Sequence, residues 1–252
     1  MPPAKRFRLI AGPNGSGKTT LMRQLRDDYA VNFYTVLNAD DIFASVSRTG
    51  AYLSPFPIAG ESMTAYAKAS SYDDSVKEPF MDGTIKVDAD CVRFLDPSAI
   101  NSYTIALLTN YLQDEHIERG LSFSQETVFS HPSKIDALRK AFEKGYRTYL
   151  YFVATTTSEI NVSRVANRLR CGGHDVPAEK IRSRFERSIR QVRLAFPFLS
   201  RAYFFDNSED EMRYLAGWTA GEGFDIQSVS RDLPNWFLNV RGVDSMPEQR
   251  GN

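Results

Sequence analysis

Apolar and polar positions along this chain follow two rhythms, a period of two over short runs and a period near 3.6 over longer ones. Arg6-Phe7-Arg8-Leu9-Ile10-Ala11 alternates and then turns apolar, as the first strand of a sheet does. From Lys18 to about Asp28, Leu21 and Leu25 fall on one helical face. Val31 to Leu37 is rich in β-branched and aromatic residues, reads as a second strand, and ends at Asn38-Ala39-Asp40-Asp41. Two readings of that end stay open. Asp40 and Asp41 close a strand, at the edge where open α/β sheets bind ligands, or one of them caps a helix beginning at Ile42-Phe43.

Between residue 44 and about 100 the pattern fades. Ser54-Pro55-Phe56-Pro57 reads as a turn, and Glu61 to Ser71 has helical spacing through Met63, Tyr66 and Ala67. Thr84 to Val92 alternates like an exposed strand, one arm of a hairpin. Residues 68–100 are expected to form an insertion on the core fold. Periodicity resumes at Asn101 with a helix through Ile105, Leu108 and Leu112 that ends at Gly120. Leu121 to Val128 is an alternating strand. A helix opening at Pro132 turns Ile135, Leu138 and Phe142 inward and closes at Gly145. Thr148 to Ala154 is the most apolar strand, as a parallel strand buried on both faces would be.

The arginine-rich stretch from Ser158 to Ser200 is helical. Val162, Val165, Ala166 and Leu169 make one stripe, and Ile181, Phe185, Ile189, Val192 and Phe196 the next. Ala202 to Phe205 forms a further strand leading into Asp206-Asn207-Ser208. A short helix, a strand over Phe224 to Val229 and a packed segment at Leu233 to Phe237 follow, and residues 244–252 read as a disordered tail. Strands alternating with helices predict an α/β chain with the three-layer P-loop NTPase/kinase fold. The expectation is one domain over residues 1–243, with a mostly parallel sheet of five to six strands and an insertion.

Candidate chemistry centres on the turn between the first strand and helix, Gly12-Pro13-Asn14-Gly15-Ser16-Gly17-Lys18-Thr19. Glycines let the backbone curl so that successive N–H groups point at a phosphate chain, and the helix dipole adds positive potential. Lys18 reaches the β/γ-phosphates, and the Thr19 hydroxyl is a ligand for Mg²⁺. The nucleotide-binding set is Gly12, Pro13, Asn14, Gly15, Ser16, Gly17, Lys18, Thr19 and Thr20, for ATP or GTP with Mg²⁺.

Charge narrows the partners. Lysine plus arginine equals aspartate plus glutamate at 31 each, which argues against a general affinity for nucleic acid or an anionic membrane. No apolar run approaches membrane-spanning length, and nothing of signal-peptide type follows Met1. Cys91 and Cys171 match no metal or redox spacing, so a reducing cytoplasm is expected. The acceptor class stays open at this point. Phosphoryl transfer to an alcohol needs a charge cradle, Mg²⁺, a carboxylate to deprotonate the hydroxyl and mobile cations for the transition state. The loop, Asp40 with Asp41, Glu126-Thr127 and an arginine segment hinged at Gly172-Gly173 supply these parts.

The chain here resembles the zeta toxin family of P-loop kinases, in its small zeta-like branch. The resemblance rests on Gly12 to Thr20, Asn38-Ala39-Asp40-Asp41-Ile42, Ser122 to Thr127, Arg164 to Arg168, Gly172-Gly173-His174-Asp175-Val176-Pro177 and Arg184 to Ser188. Characterised members phosphorylate the 3′-hydroxyl of UDP-N-acetylglucosamine with ATP. The resemblance implies that Asp40 is the base beside the catalytic Lys18, and that Glu126 and Thr127 position substrate or metal. It makes Arg168 with Arg184 or Arg187 the lid cations, with Asp41 and Arg187 facing the acceptor, and puts Asp206-Asn207 near the adenine. His174 is a lid or capping residue, and an antitoxin protein is the implied partner. The larger toxins carry a glycine between the Glu and Thr that adjoin here, and residues 68–100 have no recognised counterpart. Two other classes stay open: a polynucleotide 5′-end kinase, and an ATPase module of the ATP-binding-cassette type. The latter lacks its Leu-Ser-Gly-Gly-Gln signature in this chain.

Overall fold

The structure is a computed structural model that describes residues 4–170, 176–227 and 233–242. The Gly172-Gly173 hinge, Cys171, His174, the last residues of the strand expected over 224–229 and the tail at 244–252 lie outside the described residues. In chain order the elements are β1 (Arg6–Ala11), α1 (Lys18–Tyr29), β2 (Thr35–Asn38), α2 (Ala39–Thr49), β3 (Ala51–Leu53), α3 (Gly60–Ala69) and α4 (Asp74–Lys77). There follow β4 (Ile85–Asp88), β5 (Cys91–Phe94), α5 (Ser102–Glu118), β6 (Phe123–Thr127), α6 (Ser133–Glu143) and β7 (Arg147–Ala154). The last are α7 (Ser158–Arg170), α8 (Ala178–Ala195), β8 (Arg201–Asp206), β9 (Arg213–Thr219), β10 (Gly223–Ile226) and α9 (Asn235–Arg241). A mostly parallel sheet at the centre of this α/β fold has seven strands in the order β10-β9-β8-β7-β1-β6-β2. The chain groups into two compact units, Met1–Phe33 with Glu126–Asn252, and Tyr34–Gln125.

In the first unit β7 lies between β1 and β8, parallel to both. Leu150, Phe152, Val153 and Ala154 are fully buried, which is why this run carries no polar alternation. The sheet then departs from the expected five to six strands. In place of a short helix after residue 208, β9 runs antiparallel to β8 and turns into β10. A register shift at Phe204/Phe205 and a glycine at position 217 break the alternation that announces a strand. Trp236 and Phe237 of α9 are buried, Phe237 against Phe204 with ring centroids 5.3 Å apart.

Two helix faces also differ from the pattern. Phe142 is exposed near the end of α6, its ring edge-on to that of Phe198 with centroids 6.4 Å apart. On α7 the buried residues are Asn161 and Val165, while Ala166 and Leu169 face solvent. Asn161 is drawn inward because its side-chain oxygen accepts from the buried Thr155 hydroxyl, and that bond fixes which face of the helix is covered.

The second unit is built on α5. Asn101 and Thr104 form a reciprocal capping box at its start, and Ile105, Leu107, Leu108 and Leu112 are buried along it. The three-stranded antiparallel sheet β3-β5-β4 joins residues 51–53 to the hairpin of 85–94, so the expected insertion is paired to a strand outside its own span. The single strand expected over 84–92 is broken by a turn in which Ala89 takes φ 51°. β2 is shorter than expected and starts later. It ends at Asn38, whose side-chain oxygen accepts from the Asp40 N–H at 3.0 Å. That cap starts α2 at Ala39, so Asp40 and Asp41 occupy the first helical turn and are neither strand residues nor the cap itself. No helix among the described residues is long and apolar enough to cross a membrane.

Candidate functional site

The phosphate loop leaves the end of β1 through two backbone positions that admit no side chain. Gly12 has φ 154°, and its N–H donates to the Thr127 carbonyl at 3.3 Å. A Cβ there would lie 2.0 Å from the backbone oxygen of Val153. Gly17 has φ 97° and begins α1, and its Cβ would meet the Asn207 carboxamide at 2.3 Å. The loop is therefore wedged between the ends of neighbouring strands, which holds its N–H groups in place ahead of any ligand.

Side chains close the cradle. The Lys18 ammonium, nearly buried, donates to the Pro13 carbonyl at 3.0 Å. Ser16 is fully buried, and its hydroxyl has no hydrogen-bond partner among the described residues. A buried hydroxyl left unbonded inside the loop fits a phosphate oxygen as its partner. The Thr19 hydroxyl donates to both Glu126 oxygens, at 3.2 and 3.3 Å. A hydroxyl and a carboxylate meeting at the start of α1 are the hard oxygen donors that Mg²⁺ takes, so these residues fit that ion.

Behind the loop, Asn207 donates through its carboxamide to the Ser16 carbonyl at 2.9 Å, and its backbone N–H bonds Ala154. This side chain is thus committed to the shape of the loop. Arg164 holds Asn207 in turn, donating to its carbonyl at 2.6 Å and to that of Glu209 at 3.4 Å. Sequence reasoning passed over Arg164 and the Thr155–Asn161 pair as site residues. Arg164 is one of eight arginines along two helices and only its spatial neighbours set it apart.

The arginines of α7 and α8 fall in different places. Arg184 donates to the Asn14 side chain at 3.4 Å, which brings a guanidinium to the loop. Ser188, one turn on, donates to the Val128 carbonyl at 2.6 Å and ties α8 to the end of β6. Arg187 is exposed and bonds its own helix at the Ser183 carbonyl. Arg168 is exposed, with no ion pair or hydrogen bond among the described residues, and Thr20 is exposed on α1. Arg182 and Glu159 form a two-pronged pair, 2.8 and 3.1 Å, that staples α8 to α7. In the second unit, burial pushes the Asp41 carboxyl above the ordinary aspartate range; the charge of Asp40 adds to this and the Asn38 side chain opposes it.

The loop and the arginine-bearing helices can be set beside known proteins. A protein of Haemophilus influenzae with no described function is 28% identical over 69 residues, 27% of this chain and 49% of that protein. The structure of the AvrRxo1-ORF1:AvrRxo1-ORF2 complex with sulphate ions is similar, with a TM-score of 0.57 and 15% identity over 94% of this chain and 64% of that one. The same complex solved with ATP gives 0.54 and 16% over 89% and 61%. At such identities these likenesses are of fold, and the chain spans only about half of the curated relative and under two thirds of those solved chains. The sequence profile of the zeta toxin family matches residues 82–211, a span holding Glu126, Thr127, α7, α8 and Asn207. With more than half of its residues inside that match, the chain belongs to the zeta toxin family.

Proposed function

We propose that this protein is a cytoplasmic kinase that moves the γ-phosphoryl group of ATP to a hydroxyl of a small molecule, a nucleotide sugar of the UDP-N-acetylglucosamine type. The observation that carries the reading is the meeting of Thr19 and Glu126 beside a preformed phosphate loop. A fold relative solved with ATP is in keeping with it. The loop N–H groups and the Ser16 hydroxyl bind phosphate oxygens, and the Lys18 ammonium turns from the Pro13 carbonyl to the β/γ-phosphates. Mg²⁺, held by Thr19 and Glu126, supplies further neutralisation of phosphate charge when bound. Asp40 accepts the proton of the acceptor hydroxyl, as the family resemblance implies, and Asp41, Thr127 and Arg187 orient the acceptor. Arg184 and Arg168 offset the charge that develops on the transferring group. An antitoxin protein is the partner expected of such a kinase.

The test is to incubate the purified chain with γ-labelled ATP and Mg²⁺ against a panel of nucleotide sugars, nucleosides and oligonucleotides. Label should pass to a nucleotide-sugar hydroxyl and should not pass with Lys18→Ala, whose melting curve stays that of the parent. Label on oligonucleotide 5′ ends makes the protein a polynucleotide kinase instead. Free phosphate alone, with every acceptor tried, makes it an ATPase.

A further inference from the structure

A cleft of about 380 Å³ opens between α8 and α9 within the first unit. No residue of the phosphate loop lines it. Arg184 meets the loop, and Arg193, nine residues or two and a half turns further on, emerges on the opposite face of the same helix. Phe185 and Ile189 of α8 and the indole of Trp236 form the apolar wall. Trp236 is held in place because its ring N–H donates to the buried Asp206 at 3.4 Å and its ring packs on Phe152.

Charged groups stand at the mouth. Arg190 and Arg193 line the cleft with a single carboxylate, Glu186, so the local balance is positive in a chain that is neutral overall. Among the described residues neither guanidinium makes an ion pair or a hydrogen bond. This sets them apart from Arg182, Arg164 and Arg184 on the same two helices, each of which is engaged. Asn235 and Asn239, one turn apart on α9, add carboxamides to the opposite rim. A concave site with an aliphatic and aromatic wall, a few polar groups and two uncommitted guanidiniums suits a small planar anion: ring against the wall, carboxylate or phosphate on the arginines.

We propose that the α8–α9 cleft is a second binding site, separate from the nucleotide site, for a small aromatic anion. The shared chemistry is a flat apolar ring system bearing one carboxylate or phosphate. The probe is 2-naphthoate, with neutral 2-naphthamide and 2-naphthyl phosphate as the comparison arms, added to the full chain in which Trp218→Phe leaves Trp236 as the only indole. Trp236 emission should change saturably, with a Kd below about 1 mM for at least one of the two anions and much weaker binding of the amide. Arg190→Gln with Arg193→Gln should weaken the anion at least about tenfold, the worth of one charge-assisted hydrogen bond. Saturating MgATP should leave the Kd unchanged. Calorimetry on the chain with both tryptophans gives the same answer should Trp218→Phe fail to fold. No saturable binding of either anion, equal binding of the amide, insensitivity to the arginine changes, or displacement by MgATP would each overturn the proposal.

Discussion

The hydroxyl of Thr19 donates to the carboxylate of Glu126 at 3.2 Å across 107 positions of sequence, joining the first turn of α1 to the end of β6. If this pair is the metal site, Glu126→Gln and Thr19→Ala should leave the fold intact and remove the dependence of ATP affinity on Mg²⁺. Phosphoryl transfer should fall at least about a hundredfold, the scale of losing one preorganised charge contact. Calorimetry with ATP in the presence and absence of Mg²⁺ decides it. An Mg²⁺ dependence that survives both changes places the metal elsewhere.

Asp40 and Asp41 share the first turn of α2 but point about 100° apart, so one carboxylate can face an acceptor while the other does not. Asp40→Asn is expected to bind ATP normally and lose roughly 10²–10⁴ in transfer rate, with Asp41→Asn as the control. Burial raises the proton affinity of Asp41, which gives it some of the character of a base. A dead Asp41→Asn beside an active Asp40→Asn would move the catalytic role by one residue.

Arg184→Ala and Arg168→Ala should lower kcat by roughly 10³–10⁵ with little change in ATP affinity, since an arginine that meets only the transition state acts on rate. Arg164→Ala should do the reverse. It frees the Asn207 carbonyl and so loosens the support of Ser16, raising the Kd for ATP with kcat largely kept. Losses in kcat below about tenfold for both Arg184→Ala and Arg168→Ala would leave Arg168 a surface charge and Arg184 a support of the Asn14 side chain.

Gly12→Ala is expected to cost about 3 kcal/mol or more in a denaturant melt, because its methyl meets a backbone oxygen that cannot rotate away. ATP binding should fail in the same variant even at temperatures where it is folded. A loss under about 1 kcal/mol, the ordinary scale for a surface change, would mean that the β1 turn yields freely.

His116 gives the fold a dependence on pH. It is buried between the rings of Phe56 and Phe123, with Nδ1 donating to the Leu112 carbonyl at 2.7 Å. Burial lowers its pKa, partly opposed by the Leu112 bond. The folded chain keeps the ring neutral, while the unfolded chain takes up a proton below about pH 6.5. Stability should therefore fall as pH drops through that value, on top of the general carboxylate titration. Comparing melting temperatures of the parent and His116→Gln between pH 7.5 and 5.5 isolates the effect; equal slopes would remove it.

Local order along the chain determined much of this protein. The strand, glycine turn and helix of residues 6–29 follow from backbone demands that neighbours in sequence impose, and so do the buried run of β7 and the cap and spacing of α5. Such features need no distant partner to be recognised. Tertiary structure decided the rest. β9 exists because the bulged edge of β8 offers it hydrogen bonds, and its own pattern, interrupted at Gly217, does not announce it. Asp40 and Asp41 are helical because Asn38 spends its side chain on the Asp40 N–H, a choice two residues long that a strand-like run upstream conceals. Among the arginines, sequence supplies eight equivalent charges. Only the approach of Asn14, Asn207 and Glu159 separates Arg184, Arg164 and Arg182 from the ones that meet solvent, because a guanidinium takes its role from the oxygens within its reach and those lie up to 170 residues away.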